Sequence, residues 1–162
     1  MLALDVSPQM MRLARERSRQ YAHSEFHVAD AVLWEFPVDH FECIVSIATL
    51  HHLPLEAMLT KMKSALTVNW VLLILDLYQE SLAGAFTTPA ALPVDLVLKY
   101  LNTGRFTEPP EVRAAWAEHG KQDAYLPLSQ LRQRRQVLLP GVKIRKHLLW
   151  RYSLLWKKTA AL

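Results

Sequence analysis

Five side chains in this 162-residue sequence have the type and spacing to do chemistry: Asp5, Asp30 and Asp76, and the adjacent pair His51 and His52. Each aspartate closes an apolar stretch. A carboxylate there can accept hydrogen bonds from hydroxyls or amines, while an imidazole exchanges a proton near neutral pH. One such aspartate would mean little, but three beside a histidine pair outline a binding crevice. His51 and His52 are the candidate general bases. Each group also has a plain structural reading: Asp5 as a helix cap, Asp30 as a loop carboxylate, Asp76 as a turn residue, and the histidines bonding loop backbone. No further ligands stand at zinc spacing, so no metal site is expected. Cys43, the single cysteine, falls within an apolar run and reads as a small core residue without a disulfide partner.

The stretch that positions these groups is Phe41 to Leu53. Cys43-Ile44-Val45-Ser46-Ile47 is too continuously apolar for a half-exposed strand and predicts one buried on both faces. The chain then breaks at His51-His52. Pro54 and the spacing of Leu55, Met58, Leu59, Met62 and Leu66 predict an amphipathic helix. Upstream, a strand ends at Asp5, and Ser7-Pro8 caps a helix with Met10, Leu13 and Ala14 on its buried face. A second strand, Phe26 to Ala29, closes on Asp30. Trp70 to Tyr78 is the strongest strand, with Asp76 near its end. Strands thus alternate with helices, which argues for an α/β fold: a mostly parallel sheet with helices on both faces. Ligands in such sheets bind beyond the carboxyl ends of the strands, where the aspartates and histidines fall.

From Gln79 to Pro140 the pattern turns to helical pieces broken by prolines: Leu92 to Leu101, Glu111 to Glu118, and Leu128 to Leu138 with a basic outer face. This reads as a helical cap inserted before the last two strands, which alternate from Val142 and carry Trp150, Tyr152 and Trp156 in the core phase. The domain division is therefore a sheet half at 1–78, a cap at 79–140 and closing strands at 141–162, all within one domain. Nothing in Leu148 to Arg151 supplies a usual turn residue.

Half of the residues are hydrophobic, and no apolar run reaches membrane-spanning length, so a membrane partner is not expected. The N-terminus lacks a leader's basic region, and a cytoplasmic location is the default expectation. Charge is uneven. Residues 1–123 hold 10 Lys and Arg against 15 Asp and Glu, whereas the remainder holds 9 Lys and Arg and no acid. A basic end can face nucleic acid, but a solvated basic face is the plainer reading and no RNA-module motif is visible.

Leu2-Ala3-Leu4-Asp5-Val6-Ser7-Pro8-Gln9-Met10-Met11 resembles the second strand and following turn of class I S-adenosylmethionine-dependent methyltransferases, in the type 11 small-molecule branch. Val28-Ala29-Asp30-Ala31 is similar to that family's third-strand motif and Phe41 to Leu53 to its fourth. Leu72 to Tyr78, with Leu139 through Lys157, resembles the closing strands. The resemblance implies a Rossmann-like fold with S-adenosyl-L-methionine as cofactor. It implies that Asp5, with Val6 beside it, takes the ribose hydroxyls, that Asp30 and Ala31 hold the adenine, and that Ser46, Ile47 and Ala48 line the methionine side. His51 or His52 would accept the acceptor's proton. Trp116, His119 and Tyr125 of the cap would meet a small-molecule acceptor. The family's first strand and glycine-rich loop have no counterpart here, so the resemblance describes a domain truncated at its N-terminus. Val68-Asn69-Trp70 stands where the family usually has Pro-Gly-Gly. The leading expectation is methyl transfer by in-line attack on the sulfonium methyl. The alternatives are a non-catalytic remnant of the fold and an RNA methyltransferase or RNA binder using Arg132, Arg134, Arg135, Lys143, Arg145 and Lys146.

Overall fold

Two short parallel strands and a capped helix make up the first of two compact units in the computed structural model, Met1–Pro37 and Val38–Leu162. The structure describes residues 1–78, 97, 128–147 and 150–160. The predicted cap helix at Glu111 to Glu118 lies outside the described residues, as do Trp116, His119 and Tyr125 and, apart from Val97, the predicted helix at Leu92 to Leu101.

In the first unit, β1 (Leu2–Asp5) pairs in parallel with β2 (Glu25–Val28), Asp5 standing opposite Val28. Between them runs α1 (Pro8–Arg17). Its start follows the expected chemistry: the Ser7 hydroxyl accepts the Met10 N–H at 3.3 Å, and Pro8 occupies the first turn, where its missing N–H costs nothing. The buried stripe is rotated from the expected one. Met11, not Met10, is the helix's buried residue, and Met10 is 53% exposed. Because the helix begins one residue after the cap, Met11 and Ala14 share the inward line, and Met10 is turned about 100° away from Met11.

The second unit is built on a four-stranded sheet of order β3-β4-β6-β5. Here β3 is Phe41–Ile47, β4 is Leu66–Leu77, β5 is Lys143–Lys146 and β6 is Arg151–Lys157. β3 and β4 are parallel, whereas β4–β6 and β5–β6 are antiparallel. Among the described residues two helices accompany the sheet, α2 (Leu55–Ala65) and α3 (Leu128–Leu138). α2 buries Leu55, Met58, Leu59 and Met62 as the spacing predicts, together with Ala65, whereas Leu66, expected on the same stripe, is buried as the first residue of β4.

The sheet's two faces differ. Ile44, Ser46, Leu72, Ile74, Asp76, Tyr152, Leu154 and Trp156 are buried and share one face by register. On the other face, Cys43, Val45, Ile47, Leu73 and Leu155 are exposed, Ile47 at 62%. The expectation that β3 is buried on both faces is therefore corrected: it alternates. With that, Cys43 becomes an exposed residue rather than a core one. An apolar run cannot itself say which of its faces a helix will cover.

Two irregularities shape the sheet. β4 is longer than expected and carries a bulge, since Phe41 pairs with Leu66 but Cys43 with Val71. Asn69, inside the bulge, has a left-handed φ of +72°, a conformation asparagine tolerates better than most residues. Its N–H donates to the Lys158 carbonyl at 2.7 Å. At the entry to β6, Trp150 also takes a positive φ of +54° and is 39% exposed, so it is a turn residue and not core. Its carbonyl accepts the Tyr78 N–H at 3.0 Å, a partner the local sequence cannot reveal.

No helix among the described residues is long and apolar enough to cross a membrane.

Candidate functional site

In the first unit the two aspartates leave adjacent parallel strands at the same end. The Asp5 Oδ1 accepts the Ser7 N–H at 2.8 Å, and the Asp30 Oδ1 accepts the Val32 N–H at 2.8 Å. Each bond closes a side-chain turn that holds its carboxylate in place. A carboxylate has about four acceptor positions on two oxygens, so one backbone bond leaves capacity for a ligand's hydroxyl or amine. The Asp5 carbonyl accepts the Ala29 N–H at 3.0 Å, extending the ladder one step past β2. Val6 is exposed and Ala31 partly buried beside these groups.

In the second unit, β3 ends at Ile47, and Ala48 follows with φ of +49°, a left-handed value that costs a residue with a Cβ about 1 kcal/mol. Its N–H donates to the Leu75 carbonyl of β4 at 2.8 Å, which holds the strained turn. Ser46 is buried and Ile47 exposed. The chain then makes a 3-10 turn over Leu50–His52.

That turn separates the two histidines. The His51 side chain is only 6% exposed, and its Nδ1 lies 2.6 Å from Asp76 Oδ1. His52 is exposed, its ring centroid 3.8 Å from that of His51. Asp76, which the sequence offered as a turn residue, is a buried residue of β4 at 2% exposure. Its Oδ1 also accepts the Leu77 N–H at 2.9 Å, and its Oδ2 accepts the Tyr152 hydroxyl at 3.4 Å. An ionised carboxylate only accepts, so the His51 proton belongs on Nδ1 and the basic lone pair on Nε2.

Tyr152 extends the chain of bonds: its hydroxyl in turn accepts from Arg135 Nη2. The Arg135 guanidinium lies 4.4 Å from the centre of the Tyr152 ring and is 1% exposed. This corrects the expectation that α3 turns its arginines outward, because the face of α3 that meets β6 includes position 135. Burial pushes the Tyr152 hydroxyl pKa up to about 12. Asp76 adds to that rise, while the Arg135 charge opposes it. Tyr152 is therefore a neutral donor at any physiological pH. Arg134, one residue away, instead reaches the surface and pairs with Glu56 at 2.9 Å. The Glu56 carboxyl is held below its usual range first by its own backbone N–H at the start of α2, then by Arg134.

His51, Asp76, Arg135 and Tyr152 line one cavity of about 200 Å³, walled by leucines from the 3-10 turn, α2 and β4. Such a chamber can bind a small molecule and abstract its proton. Sequence reasoning set Asp76 and His51 in one crevice without pairing them, and missed Tyr152 and Arg135 as their companions. The signal available was weak: three polar groups at apolar-phase positions of a strand or helix. Among the described residues no cluster of three or more His, Cys, Asp or Glu side chains is arranged to hold a metal ion.

Residues 1–69 match the family model of a methyltransferase domain. A search of curated proteins returned no match. Among solved structures, the CMeT domain of the citrinin polyketide synthase is similar at 15% identity and TM-score 0.62, covering 99% of this chain and 39% of that one. The CurJ carbon methyltransferase is similar at 12% identity and TM-score 0.63, covering 98% of this chain and 41% of that one. A SAM-dependent methyltransferase from Methanosarcina mazei matches at 12% identity and TM-score 0.61, covering 99% and 82%. The chain thus spans about two-fifths of the first two proteins. At these identities the likeness establishes the fold, a Rossmann-like α/β architecture.

Proposed function

We propose, from the match of residues 1–69 to the methyltransferase-domain family model, that this chain transfers the methyl group of S-adenosyl-L-methionine to a small-molecule acceptor, with His51 as general base. The buried His51–Asp76 pair facing a cavity carries this reading. When bound, the donor supplies a methyl carbon already activated by positively charged sulfur, so the protein need contribute only position and proton removal.

The residues present suit that donor. Asp5 and Asp30, each anchored by one backbone N–H, keep acceptor capacity for a ribose diol and an adenine amine respectively. Ser46, Ile47 and Ala48 are the candidates for the methionine side. Holding reactants in a near-attack arrangement can supply about 7–11 kcal/mol of the barrier. Where the acceptor's nucleophilic atom carries a proton, His51 Nε2 takes it while Asp76 stabilises the imidazolium that results. Two of the similar structures, CurJ and DszA, are carbon methyltransferases. A carbon acid is the acceptor with most need of such a base, so an activated C–H stands beside O–H in this reading.

The RNA-directed alternative loses ground on the same coordinates, since Arg135 is buried and Arg134 is paired with Glu56. Calorimetric titration with S-adenosylhomocysteine, followed by transfer of labelled methyl groups to candidate acceptors, tests the proposal. Saturable heat is expected, and His51→Ala should lower turnover by about 10²–10⁴-fold while leaving cofactor affinity intact. A chain that binds neither donor nor product would be a non-catalytic version of the fold.

A further inference from the structure

The guanidinium of Arg135 is almost wholly withdrawn from solvent, yet two of its three nitrogens, Nε and Nη1, have no hydrogen-bond partner. The third, Nη2, donates to a neutral phenol, the hydroxyl of Tyr152. The nearest carboxylate on this chain of bonds, Asp76, lies beyond that phenol and is already engaged by His51, Leu77 and Tyr152. Among the described residues no ion pair is made to Arg135. A buried arginine left with unsatisfied donors runs against the general rule that buried charges are paired and buried donors bonded. Glu56, the other acid lining the cavity, is held by Arg134 at its exposed end.

We propose that the cavity is a carboxylate-binding site in which Arg135 supplies the recognising charge. The ligand is a small acid with an apolar body. The cavity itself argues for this class. Its walls include Leu50, Leu53, Leu55 and Leu77, and its roughly 200 Å³ falls below the ~300–1,000 Å³ usual for drug-sized ligands. A single guanidinium with two separate donors suits one carboxylate. A phosphate dianion would meet the adjacent Asp76 charge, and the second cation lining the cavity, Arg134, is already paired with Glu56. An incoming carboxylate can take one edge of the guanidinium, bonding Nη1 together with the second hydrogen of Nη2, in the cavity that His51 also lines. Identifying that acid as the methyl acceptor rests on the methyl-transfer reading. The carboxylate site itself does not.

The test uses the 162-residue chain labelled with ¹⁵N, following the Arg135 Nε resonance, assigned by its loss in Arg135→Lys. Benzoate, the neutral benzamide and inorganic phosphate are titrated in turn. Benzoate should shift the resonance saturably, and benzamide and phosphate should bind at least tenfold more weakly. Arg135→Gln should weaken benzoate at least tenfold. Equal affinities for benzoate and benzamide, phosphate binding as tightly as benzoate, or no shift with any probe would each overturn the proposal. Calorimetric titration of the wild-type chain with the same three probes decides the matter even if the variants fail to fold. Repeating it with S-adenosylhomocysteine separates the two readings: benzoate binding without product binding sinks methyl transfer and keeps the acid site, and the reverse pattern sinks only the acid site.

Discussion

The two groups of candidate residues are built in opposite ways. Asp5 ends β1 and Asp30 lies just past the neighbouring parallel strand β2, part-exposed and exposed respectively, each fixed by a hydrogen bond from a backbone N–H two residues on. The set His51, Asp76, Arg135 and Tyr152 is buried and drawn from a turn, two strands and a helix far apart in sequence. The first group depends on local chain geometry and should tolerate change. The second depends on the whole second unit, so changes there should reach stability as well as chemistry.

The largest expected effect is at Asp76. Asp76→Ala leaves a buried imidazole and a buried phenol without their acceptor, and should destabilise the protein by about 3–5 kcal/mol. A urea midpoint that hardly moves would show that the network is not the scaffold described. Next comes Tyr152. Its pKa rises from 10.0 to about 12 on folding, so the neutral form is favoured by the folded state. The associated stability is fully present below pH 10 and is lost as pH climbs toward 12, by roughly 2–3 kcal/mol at about 1.4 kcal/mol per unit. Tyr152→Phe should flatten that part of the pH–stability curve, which a series of denaturation midpoints would show.

Asp5→Ala removes one side-chain bond to Ser7 and should cost about 1 kcal/mol of stability. Its effect on cofactor affinity, read by calorimetry, should be larger than that loss implies. If stability fell as far as for Asp76, the contrast between the two groups would fail. Ala48→Gly relieves a left-handed φ and should stabilise by up to about 1 kcal/mol, measured as a rise in Tm. Arg134→Ala, beside the buried Arg135, breaks only an exposed pair with Glu56 and should change stability by at most about 0.5 kcal/mol.

How far each feature was legible follows from its range along the chain. The Ser7-Pro8 start of α1, the stripe of α2 and the span of α3 all appear as expected, because capping and helical spacing act within a few residues. The β4 strand was located but its bulge was not, since the left-handed Asn69 is held by Lys158 from far downstream. The expectation for Trp150 failed for a similar reason: its carbonyl is engaged by Tyr78. Cys43, Val45 and Ile47 are apolar, and nothing local distinguishes a covered face from a bare one.

By itself, the sequence determined the alternation of strands and helices, the capped entry to α1, and the placing of Asp5 and Asp30 at strand ends, because these obey short-range rules of periodicity and turn chemistry. Only the tertiary structure decided that His51 is buried and His52 exposed, that Asp76 is the partner of His51, and that Arg135 turns inward while Arg134 turns out. Side chains from distant positions meet only when elements pack. The dielectric environment and hydrogen-bond partners that make a group reactive are properties of that packing, not of its neighbours along the chain.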